Sequence, residues 1–125
     1  QFKKNVFNLP KSLKKLKATA AQLEANFEKF DLIMTPVIAK TPTKIGYFDV
    51  TLPYAEISKR AVEFAPYTGL QNISGAPAIS LPMGISSDGL PIGVHFSAPF
   101  GQDKLLLEFA YELEQAQPWK FVYQF

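Results

Sequence analysis

Apolar residues recur at spacings of three and four from Leu13 through Leu16, Ala20, Leu23 and Phe27 to Phe30, one stripe down a helix spanning residues 10–30. Lys14, Lys15, Lys17, Glu24 and Glu28 fall off that stripe. Pro10 suits the first turn, where its missing amide proton would have no intrahelical partner, while the nearby lysines oppose the helix dipole and favour fraying. At Asp31 the period changes. Leu32-Ile33-Met34-Thr35-Pro36 is a short, mostly apolar run closed by proline, which predicts a buried strand with neighbours on both sides. Residues 36–53 carry Pro36, Pro42 and Pro53 with Thr41, Thr43 and Gly46, and predict a long irregular loop of the kind that often serves function. Helical spacing returns at Tyr54, Ile57, Ala61 and Phe64, with Lys59 and Arg60 pointing outward and Pro66 as the stop.

The second half of the chain is more sharply punctuated. Ala78–Met83 and Ile92–Ala98 read as two apolar strands, and Ser86-Ser87-Asp88-Gly89 as the turn between them. Gly89 provides the positive φ a tight reversal needs, and Pro82 and Pro91 fence the strands. A last helix over 102–115 buries Leu106, Phe109, Ala110 and Leu113, with Asp103 at its favourable N-terminal end and Glu108, Glu112 and Glu114 facing water. The alternation of Trp119, Phe121, Tyr123 and Phe125 fits a short strand or an aromatic tail packed on neighbouring surface, and the tail is the favoured reading. The long stripe of the first helix requires cover, which Leu32–Met34 and the strands between 78 and 98 are placed to give. The organisation is α/β: a basic arm over 1–9, a helix over 10–30, strands, loop and pocket-side segment over 31–99, then helix and tail over 102–125.

Composition agrees with a packed structure, because 47% apolar and 14% aromatic residues against 19% charged exceed what a disordered chain carries. The formal charge of +2 hides an asymmetry. Residues 1–17 hold six of the 13 basic residues and no acid, leaving seven basic against 11 acidic elsewhere. A solvated helix face is the reading for these lysines, since no arginine or aromatic partner is interleaved to read bases. Nucleic acid and membrane are therefore not expected partners. No apolar run reaches the roughly 18 to 20 residues of a membrane span, and residues 1–17 lack the pattern of a secretory signal, so the cytoplasm is the default compartment. The absence of cysteine removes disulfides, thiolate metal sites and a cysteine nucleophile.

Four ordered motifs point further. Asn72 followed by Ser74-Gly75-Ala76-Pro77-Ala78-Ile79-Ser80-Leu81-Pro82 and Asp88-Gly89-Leu90-Pro91-Ile92-Gly93-Val94 resembles the C-terminal stretch of the amidase signature family of amide hydrolases. Phe30-Asp31-Leu32-Ile33-Met34-Thr35-Pro36 lies upstream, Leu105-Leu106-Leu107-Glu108-Phe109-Ala110 downstream, and Leu113-Glu114-Gln115-Ala116-Gln117-Pro118-Trp119 last, in the order that family shows. Within it, Phe64-Ala65-Pro66-Tyr67-Thr68 and Ala116-Gln117-Pro118-Trp119 look closest to members acting on small linear or cyclic amides, such as the aminohexanoate cyclic dimer hydrolases.

The resemblance implies a fold and a reaction. The fold is the C-terminal fragment of the amidase signature fold, about three short strands of a mixed sheet with about three flanking helices. The reaction is acyl transfer through a Ser-Ser-Lys triad, without metal or organic cofactor, on a small amide substrate. Family members are several times longer, and their serines lie in a glycine- and serine-rich loop with the lysine further upstream. No Gly-Gly-Ser-Ser-Gly-Gly run occurs here, and the chain begins at Gln1 without an initiator methionine. The expectation is a C-terminal part of an amidase with no catalytic residue of its own. Phe64, Thr68, Gln71 and Asn72, on the approach that lines the acyl side of the pocket in relatives, are the expected substrate-binding residues. The loop 36–53 would border the substrate mouth.

An independent active site finds little support. His95 is the lone histidine, on a strand where Val94, Phe96 and Ala98 face the other way, and no Asp or Glu pair is spaced to complete a metal site. Ser80, Ser97 and Asp88 could be borrowed for a Ser-His-Asp arrangement, yet no sharp elbow presents the serine. A lysine base must be desolvated; the lysines here lie on exposed helix faces or, as Lys40 and Lys44, in the loop, where the reading stays open, and none lies next to a serine-rich glycine loop. The alternative to an amidase segment is a non-catalytic α/β binding or assembly module. A piece lifted from a larger sheet would leave an edge and an apolar face without cover, which predicts self-association, strand exchange or poor solubility.

Overall fold

The computed structural model describes residues 8–119, so the basic arm before Asn8 and the tail residues Phe121, Tyr123 and Phe125 lie outside the described residues. Four helices and three strands follow one another in the order α1 (Leu9–Asn26), β1 (Ile33–Pro36), α2 (Tyr54–Phe64), α3 (Gly69–Ser74), β2 (Ala78–Ile85), β3 (Pro91–Ser97) and α4 (Asp103–Ala116). The class is α/β with three strands, as the patterning predicts, and one helix more than it predicts.

The hairpin β2–β3 is the backbone of the sheet. Its turn closes through the Ser86 amide donating to the Leu90 carbonyl at 2.8 Å and the Gly89 amide to the Ser86 carbonyl at 3.0 Å. Gly89 takes φ 78°, the left-handed conformation that glycine adopts without steric penalty. Strand order is β1-β3-β2, antiparallel throughout, which puts β3 in the centre. Pro82 and Pro91 lie inside the strands rather than at their fences. Pro91 opens β3, and Pro82 sits on an outer strand beside the irregularity between Pro82 and Gly84, the places where a missing amide proton costs no ladder bond.

Three expectations need correcting. The run 31–36 is not flanked on both sides. Among the described residues β1 pairs with β3 alone, its burial alternates, and Met34 is 67% exposed. The reason is connectivity, since the hairpin turn commits one side of β3 to β2 and leaves β1 the other side and the edge. Nor does α1 lie along the sheet. It rests on α3, with Leu23 buried, while Leu13 and Leu16 on the same stripe stay 49% and 43% exposed. The helix also stops at Asn26, four residues short, where the Phe27 amide turns back to the Glu24 carbonyl at 3.0 Å and leaves Phe30 outside the helix and 60% exposed.

The core forms on one face of the sheet. Leu81, Phe96 and Ala98 pack against Leu106 and Ala110 of α4, and the Phe96 and Phe109 rings meet edge to face at 4.9 Å. Full burial of each large side chain contributes about 1.5–3 kcal/mol, so this small cluster is the main cohesive element. It matches the stripe of α4 read from the sequence.

Candidate functional site

The opposite face of the sheet is polar at its centre. Strand pairing sets Thr35, His95 and Ser80 side by side across β1, β3 and β2, with Ile33, Ser97 and Ala78 in the next row. Because side chains alternate along a strand, these residues share one face while Phe96 and Leu81 occupy the other. Thr35 Oγ1 stands 3.3 Å from His95 Nδ1. His95 is 6% exposed and Ser97 fully buried, and burial pushes the imidazole below its ordinary value, favouring the neutral ring. Ser97 Oγ has no hydrogen-bond partner among the described residues. A hydroxyl against an imidazole is half of a nucleophile–base arrangement, but among the described residues no carboxylate bonds to His95. The Thr35–His95 contact ties β1 to the central strand.

The four expected binding residues fall at the end of α2, just before α3 and on it, and among the described residues no side-chain hydrogen bond joins them. Phe64 ends α2, and its carbonyl accepts the Ala39 amide at 2.8 Å. Thr68, Gln71 and Asn72 follow on α3 and the residue that precedes it. That helix escaped the periodicity reading because six residues are too few to show a stripe. Gly75, at φ 76°, closes it by donating its amide to the Gln71 carbonyl at 2.8 Å, and Ser74 Oγ accepts the Ala76 amide at 3.2 Å. Thr68 is half-buried and Asn72 exposed. Gln71 is 8% exposed, and its Oε1 has no hydrogen-bond partner among the described residues.

The loop 36–53, expected to border a substrate mouth, packs against the hairpin turn and α2. Its first residues and the hairpin turn enclose a cavity of about 260 Å³, lined by Pro36, Ile38, Lys40, Pro42, Leu90 and Ile92 among others, and none of the four expected residues lines it. Val37 leans over the sheet at Gly93, where a β-carbon would come 3.0 Å from Val37 Cγ2. Further along, the loop is tied to α2 by Arg60, which does not point outward as its position beside Lys59 predicts. Its Nη1 donates to the Tyr47 carbonyl at 2.7 Å, its Nε to Glu56 Oε1 at 2.8 Å, and the guanidinium lies 4.9 Å over the Tyr47 ring. The Arg60 bond holds the Glu56 carboxyl below the usual carboxylate range. The amide and hydroxyl of Thr51 do the same for Asp49. Periodicity places Arg60 off the apolar stripe and so misses it; the signal that could have found it is Glu56 four residues before it on the same helix face.

Among the described residues no group of three histidine, aspartate or glutamate side chains is placed to hold a metal ion. Among them, too, no helix is long and apolar enough to cross a membrane.

Comparison with known proteins gives a consistent result. The family model described as Amidase matches residues 3–107. The protein named AmiC in Mycobacterium leprae is 40% identical over 116 residues, 93% of this chain and 25% of its own length. The 6-aminohexanoate-cyclic-dimer hydrolase of Paenarthrobacter ureafaciens is 38% identical over 96 residues, 72% of this chain and 20% of its own length. A solved structure of 6-aminohexanoate cyclic dimer hydrolase complexed with substrate superposes with a TM-score of 0.76 at 34% identity, over 85% of this chain and 23% of that one. The chain thus spans about a quarter of the length of the relatives it matches. With the motifs of residues 30–119, the antiparallel hairpin and the family match over most of its length in agreement, the chain belongs to the amidase family.

Proposed function

We propose that this chain is the scaffold and pocket-wall segment of an amide hydrolase. The reaction is acyl transfer from a small amide through a Ser-Ser-Lys triad contributed by sequence outside these 125 residues. Phe64, Thr68, Gln71 and Asn72 form its acyl side, and no metal or organic cofactor takes part. The likeness to the cyclic dimer hydrolases makes a linear or cyclic aminohexanoate amide the first substrate to try. The segment on its own has no hydrolytic activity, and with its uncovered apolar faces it associates with further copies.

One observation carries this reading. Gln71 Oε1 is a buried acceptor without a donor among the described residues, and such a group costs about 1–3 kcal/mol unless something pairs with it. The N–H of an amide is the donor that an amide hydrolase brings. The test is hydrolysis of the cyclic and linear dimers of 6-aminohexanoate by the complete polypeptide carrying this segment, by its Gln71→Leu variant, and by the chain alone. The expected results are turnover by the complete protein, a KM raised about 3- to 10-fold in the variant, corresponding to one lost hydrogen bond, and none by the chain alone. Turnover by the isolated chain, or an unchanged KM in the variant, refutes the assignment; binding without turnover by the complete protein favours a non-catalytic module.

A further inference from the structure

We infer that Arg60 is a positioning residue that sets an aromatic wall for the acyl part of the substrate, an inference that rests on the amide-hydrolase reading of Phe64. Four side chains form a relay between the loop and α2. The Arg60 guanidinium lies 4.9 Å from the Tyr47 ring centre, the Tyr47 ring meets Phe48 edge-on at 4.9 Å, and Phe48 meets Phe64 edge-on at 5.4 Å. Arg60 also binds the Tyr47 carbonyl at 2.7 Å, so it holds the backbone and the ring of one residue together. Its remaining edge is occupied by Glu56 at 2.8 Å, which fixes the guanidinium plane.

Other ties join the two ends of the loop to α2. The Ala39 amide reaches the Phe64 carbonyl at 2.8 Å, but Lys40 and Glu63 pair at 3.4 Å in the open, where such pairs add little. Among the described residues no hydrogen bond or ion pair joins the loop to α2 between Lys40 and Tyr47, and Ile45 at its apex is fully exposed. Between the loop's ends Phe48 is held against Phe64 through Arg60 and Tyr47, while the turns at Asp49–Leu52 and Pro53–Glu56 carry the chain on into α2. Phe48 keeps 38% of its surface exposed, so the pair is a wall that faces outward and not part of the core.

Two edge-to-face rings offer apolar surface and no hydrogen bond. That surface suits a polymethylene acyl chain and gives nothing to an acetyl group, so the wall discriminates by acyl length. A lysine at this position keeps the charge but lacks the planar fork that serves Glu56, the Tyr47 carbonyl and the ring at once.

Two measurements test this. In the chain itself, trypsin cleavage after Lys44 reports release of the loop, with cleavage after Lys104 on α4 as the reference for general unfolding. Arg60→Met is expected to speed the Lys44 cut at least 5-fold relative to Lys104, with Arg60→Lys in between. In the complete polypeptide carrying this segment, Arg60→Met is expected to raise KM about 10-fold for octanamide and less than 2-fold for acetamide, with kcat unchanged for both. Lys44 cleavage no faster than in the wild type overturns the fastening and leaves the amidase reading in place. Equal effects on both amides, or an effect on kcat alone, overturn the specificity role. Absence of hydrolysis by the wild type overturns the amidase reading and the specificity role with it, and leaves the fastening to the trypsin result.

Discussion

Thr35 and His95 are direct partners in the β1–β3 pairing, and Thr35 Oγ1 lies 3.3 Å from His95 Nδ1, the buried centre of the polar row of the sheet. The contact ties an edge strand of four residues to the central strand by a side-chain bond as well as by the backbone ladder. It also makes the sheet sensitive to protonation of one ring.

Burial lowers the His95 pKa from its ordinary 6.5. The sign follows from linkage: below the ordinary value the unfolded chain takes up a proton that the folded chain resists. Stability is thus complete above about pH 6.5 and falls as pH is lowered, by at most about 1.4 kcal/mol per pH unit. Asp49 and Glu56, both held below the ordinary carboxylate range, titrate beneath that window. Urea midpoints at pH 7.5, 6.5 and 5.5 should decline for the wild type and flatten for His95→Gln; equal slopes would contradict this assignment.

Gly93 is needed for space and not for its dihedral angles. A β-carbon there would stand 3.0 Å from Val37 Cγ2 and 3.2 Å from Ser80 Oγ, tighter than packed side chains tolerate without moving. Gly93→Ala is expected to destabilise by about 1–2 kcal/mol. At Gly84 the same atom would meet Ile92 Cβ at 3.7 Å, an ordinary contact. Gly84→Ala should leave stability unchanged or raise it by up to about 1 kcal/mol, through a less flexible unfolded chain. Denaturation midpoints of the two variants, side by side, settle the contrast.

Ser97 is fully buried and its hydroxyl has no hydrogen-bond partner among the described residues. Removing a polar group that already lacks a partner relieves a desolvation cost. Ser97→Ala is expected to be neutral or stabilising by up to about 1 kcal/mol. Ser97→Thr, which adds a methyl group to a filled site, should lose about 1–3 kcal/mol. A clear loss in the alanine variant would show that the hydroxyl is paired through an ordered water.

The N-terminal half of α1 carries Leu9, Leu13 and Leu16 at 53%, 49% and 43% exposure, on a stripe that α3 covers only further along. With a net charge of only +2, little repulsion keeps copies apart. Sedimentation velocity across a concentration series should show association of the wild type that Leu13→Glu/Leu16→Glu suppresses while the circular dichroism stays unchanged. A single monomer boundary at every concentration would remove the basis for the self-association proposed above.

Much of the architecture was legible in the chain. The α4 stripe of Leu106, Phe109, Ala110 and Leu113 predicts the face that packs on the sheet, and α4 runs within a residue or two of its predicted bounds. The helix over Tyr54–Phe64 and the hairpin with its glycine turn follow equally directly, because each is specified by residues close in sequence. The motifs around Ser74–Pro82 and Asp88–Val94 placed the chain in its family for the same reason. The polar row was half visible. His95 lies opposite Val94 and Phe96 by simple alternation, but nothing local brings Thr35 to it from 60 residues away.

What the sequence determined by itself is which face of each element is apolar and where each element turns, since these depend on periodicity and on a few glycines and prolines. What only the tertiary structure decided is which partner each face receives: β3 in the centre rather than β1, α1 on α3 rather than on the sheet, and Arg60 folded inward onto Tyr47. Periodicity encodes an orientation, whereas a partner is chosen by competition among all surfaces the folded chain brings within reach, and that competition has no local signature.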